Sequence, residues 1–459
     1  MCLSASCYRS GTIRAMNSGS SPILAAGDAC LLRVGAVADD RGERPGPWLV
    51  RVLVDRFGGA TISEIQSDRS AAVDLDRPGA VLVPAFVNAH THLDLTDVGI
   101  RPFGGSFDAW LEMVMDARPR TAEAIRAAVV AGVRLSRAGG VVAVGDIAGA
   151  PGSSPELAAM FALDESGMGG VSFMEFFAIG ARERHGIDTV HTAFDGLPAS
   201  RNVRFGVQPH APYTVSNRGY AAAAAIAGTH GAPISTHLAE SPSERRFVAD
   251  GEGPTRDFLE RLGLWTSAEE IGVGEGLSPT AYLARAFGER GRGVVAAHGA
   301  DLSDEDIELL AQLHATVVYC PRSATYFGFD LAVGAHRYRD LLDAGVNVCF
   351  GTDSIINLDT PDRISPLDDA RLVVRRDGLD PVTALAMLTT YPARGLGLDP
   401  AKFRVEPGSP IEGILCLPTD EGSGRGRLAG VFENGAAPEV LTLAAGRAVN
   451  DLPATRGDV

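Results

Sequence analysis

The residues best suited to chemistry in this chain are histidines, and two of them are spaced to share a ligand. His90 and His92 stand two apart in Asn88-Ala89-His90-Thr91-His92. On an extended strand such residues point to one face, where both rings can grip one ion at about 2.0–2.1 Å each. His237, followed three residues later by Glu240, offers another imidazole, and Asp353 in Gly351-Thr352-Asp353-Ser354 offers a carboxylate. Neutral imidazoles with one carboxylate suit Zn2+, with Fe2+ the alternative, and leave a position for water. The chemistry of such a set is metal-assisted hydrolysis. His210 and His298 also follow short apolar runs, and each reads either as a further site group or as a cap on buried strand-end carbonyls.

Elements that could bring these residues together are legible in the alternation of apolar runs with amphipathic stretches, the pattern of βα units. The runs Val81–Val87, Val141–Gly145, Val171–Ile179, Val203–Gln208, Pro233–Thr236, Gly293–Ala297, Thr316–Tyr319 and Asn347–Phe350 number eight, as a (β/α)8 barrel needs. Helices are expected between them, among them Thr121–Ala138, Asp304–His314 and Pro381–Leu388. In such a barrel the site lies at the C-terminal strand ends. Five of the ten histidines fall at those ends.

Outside the barrel, Leu31–Val34, Trp48–Val54 and Thr61–Ile65 read as short strands, and so do Gly413–Leu417, Leu428–Glu433 and Glu439–Ala445. The expected fold class is therefore α/β, a (β/α)8 TIM-like barrel with a small β-sandwich domain formed by both chain ends. The expected division is a leader without fold at 1–15, a composite β domain at 16–80 and 396–459, and the metal-dependent barrel at 81–395.

Composition narrows the function. The 459 residues are 45% hydrophobic and 21% charged, the profile of a globular chain. The formal charge of -16 repels phosphate backbones, so no nucleic-acid partner is expected. No run approaches 18 apolar residues and residues 1–30 hold no apolar signal core, so no membrane partner is expected and the cytoplasm is the expected location. The six cysteines, Cys2, Cys7, Cys30, Cys320, Cys349 and Cys416, form no CxxC pair and read as buried or incidental thiols. Lys402 is the only lysine, so 40 of the 41 basic residues are arginine. Schiff-base chemistry, lysine general bases and metal pairs bridged by a carboxylated lysine are excluded unless Lys402 supplies them.

Pro84-Ala85-Phe86-Val87-Asn88-Ala89-His90-Thr91-His92, Pro209-His210-Ala211-Pro212-Tyr213-Thr214-Val215-Ser216, His237-Leu238-Ala239-Glu240, His298 before Leu302, and Gly351-Thr352-Asp353-Ser354 together resemble the amidohydrolase superfamily. The resemblance is to its mononuclear branch: cytosine, adenosine-type and S-adenosylhomocysteine deaminases with the triazine chlorohydrolases. It implies His90, His92, His237 and Asp353 as metal ligands, Glu240 as the proton-shuttling acid/base, and His298 as the residue beside the attacking water or developing charge. Asp353 is then catalytic as well as a ligand, and His210 matches a substrate-side histidine facing the nucleobase or its sugar. Cys320-Pro321-Arg322-Ser323 is similar to a segment of proteins related to aminodeoxyfutalosine deaminases. That makes this nucleoside the first expected substrate, ahead of S-adenosylhomocysteine, methylthioadenosine and adenosine. The segment Glu406–Gly413 departs from the family's usual glycine, lysine, alanine and aspartate.

Two further residues are candidates for substrate contact. Arg322 reads either as a fork for an anionic group such as a benzoate carboxylate or as a structural arginine. Trp110, in Phe107-Asp108-Ala109-Trp110-Leu111-Glu112, belongs with Phe258–Trp265 to apolar insertions that read as a lid, a homodimer contact or core packing. The expected function is release of ammonia from an adenine-type nucleoside, a small-molecule substrate. The alternatives are a triazine chlorohydrolase, a guanine or cytosine aminohydrolase, and a non-catalytic barrel.

Overall fold

Short β-branched runs cut by Gly, Pro and Asp become β1 (Ala29–Asp39), β2 (Gly42–Val54), β3 (Ala60–Gln66) and β4 (Leu75–Pro84). The computed structural model describes residues 24–56, 59–67, 71–150, 155–419 and 427–444. The expected leader at 1–15 lies outside them. The barrel strands are β5 (Phe86–Thr91), β6 (Val141–Ala148), β7 (Gly169–Phe176), β8 (Arg204–Pro209), β9 (Ser235–Leu238), β10 (Val295–His298), β11 (Thr316–Tyr319) and β12 (Asn347–Phe350). Near the C-terminus follow β13 (Pro410–Ile411), β14 (Gly413–Pro418) and β15 (Glu439–Leu443).

The run Val81–Val87, expected to be one barrel strand, is split. Val81–Pro84 belongs to β4, and Ala85 is the crossing point, its N–H donating to the Gly413 carbonyl at 2.9 Å while Phe86 N–H donates to that of Gly140 at 2.9 Å. A continuous apolar run carries no mark of the change of sheet, since both halves are fully buried. The consequence is that His90 lies within the barrel strand, not beyond it.

The eight parallel strands form two four-stranded sheets, β5-β6-β7-β8 and β9-β10-β11-β12. Two seams join them into a distorted TIM-like barrel: Val207 bridges Ile234 on one side and Thr91 bridges Asp353 on the other. At the second seam Thr352 and Asp353 N–H both donate to the His90 carbonyl, at 3.0 and 3.1 Å. Helices cover the outside where their caps predict. Ala122–Ala138 starts at Thr121, whose Oγ1 accepts from Ala124 N–H at 3.2 Å, and Pro381–Leu388 starts with Pro at its first position behind Asp380.

Both chain ends build one seven-stranded sheet, in the order β13-β3-β2-β1-β4-β14-β15. The described strands share one hydrogen-bond ladder, with register shifts within β1 and β2. The run Leu428–Glu433, expected as a strand, is the helix Arg427–Glu433. A distant residue decides it, because the Glu43 carboxylate accepts from Arg427 N–H at 3.0 Å and Leu428 N–H at 3.2 Å, capping the first turn. Cys30, Cys320, Cys349 and Cys416 are free and buried, as expected of incidental thiols. No helix among the described residues is long and apolar enough to cross a membrane.

Candidate active site

β5 carries His90 and ends one residue before His92, whose ring joins that of His90 at a centroid distance of 5.1 Å, and the second seam brings Asp353 alongside. His92 Nε2 lies 3.5 Å from Asp353 Oδ1 and 3.4 Å from His237 Nε2, and His90 Nε2 lies 3.8 Å from Asp353 Oδ1. Donors held about 2.1 Å from one tetrahedral ion stand roughly 3.4 Å apart, so these separations fit a single cation. His90, His92 and His237 form one group whose ligand atoms lie within 4.8 Å of one another, and Glu175, His210 and His237 form another. His90 is fully buried and neither ring nitrogen has a hydrogen-bond partner among the described residues. A buried imidazole left unpaired costs about 1–3 kcal/mol, which an ion would offset. The chain therefore carries a mononuclear metal-binding site.

The protonation states agree with that. Burial, reinforced by neighbouring imidazoles, pushes His90 and His92 well below the usual histidine range, and burial pushes His237 down to about 4. All three are neutral donors at pH 7. His237 Nδ1 sits 2.9 Å from the His210 carbonyl, which fixes its N–H there and leaves Nε2 free to ligate. Burial raises Asp353 to about 6, against the bond that Ser323 Oγ donates to its Oδ2 at 2.7 Å. Oδ1 faces His90 and His92. Gly351 is needed here, since a Cβ would lie 2.9 Å from His90 Cβ.

Glu240 and His298 stand beside the cluster. Glu240 Oε1 is 3.8 Å from His298 Nε2, and Tyr213 hydroxyl donates to Oε2 at 3.5 Å. Glu244 holds the turn, its carboxylate accepting from Ala239 N–H at 2.9 Å and Glu240 N–H at 2.8 Å. Burial, together with the charges of Asp353 and Glu244, raises the Glu240 carboxyl well above the usual range. Ala239, His298 and Asp353 have φ of 51°, 76° and 58°. Left-handed backbone in residues other than glycine costs of order 1–3 kcal/mol each and clusters where side chains must be aimed. His298 rests on His336, whose Nε2 reaches its carbonyl at 2.8 Å.

Of the expected substrate contacts, one lies at the site. His210 packs at 4.8 Å against His237, with Nδ1 bound to Thr214 Oγ1 at 2.7 Å. Arg322 does not face a substrate. Its Nε and Nη2 donate to Asp369 Oδ2 at 3.0 and 2.8 Å, Nη2 also to the Ser365 carbonyl at 3.0 Å, and Nη1 to Asp359 and Thr360, both at 3.1 Å. The fork is spent on the fold. Trp110 packs edge-on against Phe327 at 4.9 Å and stacks on Phe107, inside an aromatic cluster. Its helix neighbours Phe107 and Leu111 instead line a cavity of about 340 Å³, together with Tyr213, Ser241, Phe258 and Phe329. Lys402 is paired with Glu412 at 2.7 Å, away from these groups. The sequence assigns no role to Tyr213, Ser323 or Glu244: the first two lie inside the segments 209–216 and 320–323, and Glu244 stands four residues past Glu240.

The amidohydrolase family model matches residues 81–435. The chain belongs to the amidohydrolase family. Its relatives include an aminodeoxyfutalosine deaminase of Deinococcus radiodurans, 32% identical over 314 residues that cover 67% of this chain and 71% of the relative. A 5-methylthioadenosine/S-adenosylhomocysteine deaminase of Natronomonas pharaonis is 30% identical over 362 residues, 73% of this chain and 72% of the relative. An atrazine chlorohydrolase from Arthrobacter aurescens, solved with zinc, shares the fold with a TM-score of 0.66 at 20% identity, over 92% of this chain and 97% of that one. This amidohydrolase is thus an enzyme of the superfamily with a metal-binding site, related to its deaminase branch.

Proposed function

We propose that the chain is a metal-dependent hydrolytic deaminase that releases ammonia from an adenine-type nucleoside. The observation carrying this is the Glu240 carboxyl, buried beside the histidine and aspartate cluster without being part of it. Similarity to relatives named as nucleoside deaminases favours deamination over the chlorohydrolase reading.

A divalent ion held by His90, His92, His237 and Asp353, with Zn2+ the first choice and Fe2+ the second, supplies the Lewis acidity that makes water nucleophilic near neutral pH. The chain's own groups do the rest. Asp353, oriented by Ser323, accepts the proton lost by the water as its oxygen bonds to the ring carbon. Glu240 delivers its proton to the adjacent ring nitrogen, and His298 Nε2 steadies the charge that develops on oxygen. Proton return through these carboxyls to the exocyclic nitrogen lets the carbon–nitrogen bond break, leaving a ring carbonyl and ammonia. Tyr213 keeps Glu240 in place.

Within the class, aminodeoxyfutalosine is the leading substrate, ahead of S-adenosylhomocysteine, methylthioadenosine and adenosine. Similarity to the Deinococcus radiodurans enzyme supports it, and so do the aromatic walls Phe107, Phe258 and Phe329, which suit an aryl substituent on the sugar. The test is ammonia release from these four compounds with guanine and cytosine alongside. Reaction of only guanine or cytosine would overturn the nucleoside assignment.

A further inference from the structure

At the end of β10 the chain leaves the barrel sheet through a left-handed turn. His298 has φ of 76° and Gly299 of 62°, two such residues in succession. At His298, which carries a Cβ, that conformation costs about 1–3 kcal/mol and persists only where its surroundings impose it. Neighbouring backbone holds one side of the turn. Gly299 N–H donates to the Leu238 carbonyl at 2.9 Å, and Ala300 and Asp301 N–H donate to that of Ala239 at 2.8 and 2.9 Å. The ladder between β10 and β11 ends at Ala297 and Val318, one residue short of the His298 carbonyl. That carbonyl is met by His336 Nε2, 2.8 Å away and 38 residues on in the chain.

A carbonyl only accepts, so Nε2 carries the hydrogen of His336. Desolvation of its ring pushes His336 down to about 4, so at pH 7 the imidazole is neutral with that one N–H. Nδ1 is then a lone pair, buried without a hydrogen-bond partner among the described residues. Such a group costs the fold about 1–3 kcal/mol. The ring lies flat on Tyr319, 3.9 Å between centroids and 18° between planes, and Arg376 Nη2 donates to the Tyr319 hydroxyl at 2.7 Å. An apolar ring would pack on Tyr319 without the unpaired nitrogen. What the imidazole adds is the bond to His298. The His298 ring, in turn, stacks on His237 at 5.4 Å and sets its Nε2 3.8 Å from Glu240 Oε1.

We propose that His336 is a positioning residue: by donating to the His298 carbonyl it fixes the left-handed turn that aims the His298 ring at the reacting centre. This rests on the role given to His298 above. His336→Phe keeps a ring on Tyr319 and removes the donor, whereas His336→Gln puts an amide nitrogen where Nε2 stands. On the best-reacting nucleoside, His336→Phe is expected to lose about 10- to 100-fold in kcat, the scale of a misaimed group, with KM within about 2-fold and metal content unchanged. His336→Gln is expected to recover to within about 5-fold of wild type. Added to His298→Ala, His336→Phe should cost less than about 2-fold further, since it acts through that residue. Wild-type kcat in His336→Phe, equal losses in His336→Phe and His336→Gln, or a full additional loss on top of His298→Ala would overturn the positioning. If His336→Phe does not accumulate folded, His336→Asn, whose amide is too short to reach the carbonyl, replaces it with the same expected and overturning outcomes. A crystal structure of the variant separates the two readings. His298 displaced from Glu240 in an enzyme that deaminates no nucleoside refutes the deaminase and retains the positioning. His298 unmoved, with its left-handed turn intact, refutes the positioning.

Discussion

Two buried polar assemblies in this molecule contain an arginine facing carboxylates, and they differ in what they leave open. Around Arg322 every nitrogen of the guanidinium is engaged, by Asp369, Asp359, Thr360 and Ser365. Around the barrel mouth, both nitrogens of His90, Arg118 Nε, Asp94 Oδ1, Asp146 Oδ2 and Gln208 Oε1 are buried and unpartnered among the described residues. A closed network contributes only to the fold. Groups left open at about 1–3 kcal/mol each persist where something outside the chain completes them. Three of the four non-glycine residues with positive φ among the described residues, Ala239, His298 and Asp353, lie on the open side; the fourth is His314.

The comparison can be broken at several points. On the open side, Glu240→Gln should lower kcat by about 10²- to 10⁴-fold while keeping the metal, checked by steady-state kinetics and elemental analysis. Wild-type turnover in that variant removes Glu240 from the chemistry. On the closed side, Arg322→Met should cost about 3–5 kcal/mol of stability, because it strands the buried Asp369 carboxylate. The KM of the folded fraction should stay within about 2-fold of wild type. A KM rise of 10-fold or more with unchanged melting would restore Arg322 to the substrate. Chelation should destabilise the wild type by up to about 4 kcal/mol, the linkage expected when metal exceeds its Kd about 1,000-fold, and should barely affect His90→Ala. A scanning-calorimetry series reads this, and equal shifts in both proteins would count against His90 as a ligand. Smallest, Ser323→Ala should weaken metal affinity by about 10- to 100-fold through loss of the bond that orients Asp353, measured by competitive chelation.

The cluster of candidate ligands was legible in the sequence because it depends on short-range regularities. His90 and His92 share a face through the two-residue strand period, and His237, His298 and Asp353 each end or follow a buried run. Short-range signals marked other elements too: the capped helix Pro381–Leu388 and the strand Asn347–Phe350 fall where expected, and Asp304–Gln312 ends two residues early. The misreadings share a cause as well. Arg322 meets Asp369, 47 residues away, and the helix Arg427–Glu433 is capped by Glu43 from the opposite end of the chain. Nothing in the neighbouring residues announces either partner.

From sequence alone come the chemistry the chain carries and the strand ends that carry it: imidazoles, one aspartate, one glutamate, no lysine within the barrel. Tertiary structure alone decided which arginine is spent on the fold and which keeps donors open, where the chain leaves the seven-stranded sheet for the barrel, and how two four-stranded sheets close through Thr91 and Asp353. Side-chain type and strand period act over a few residues, whereas the partner of a buried charge is fixed by packing between segments far apart in the chain.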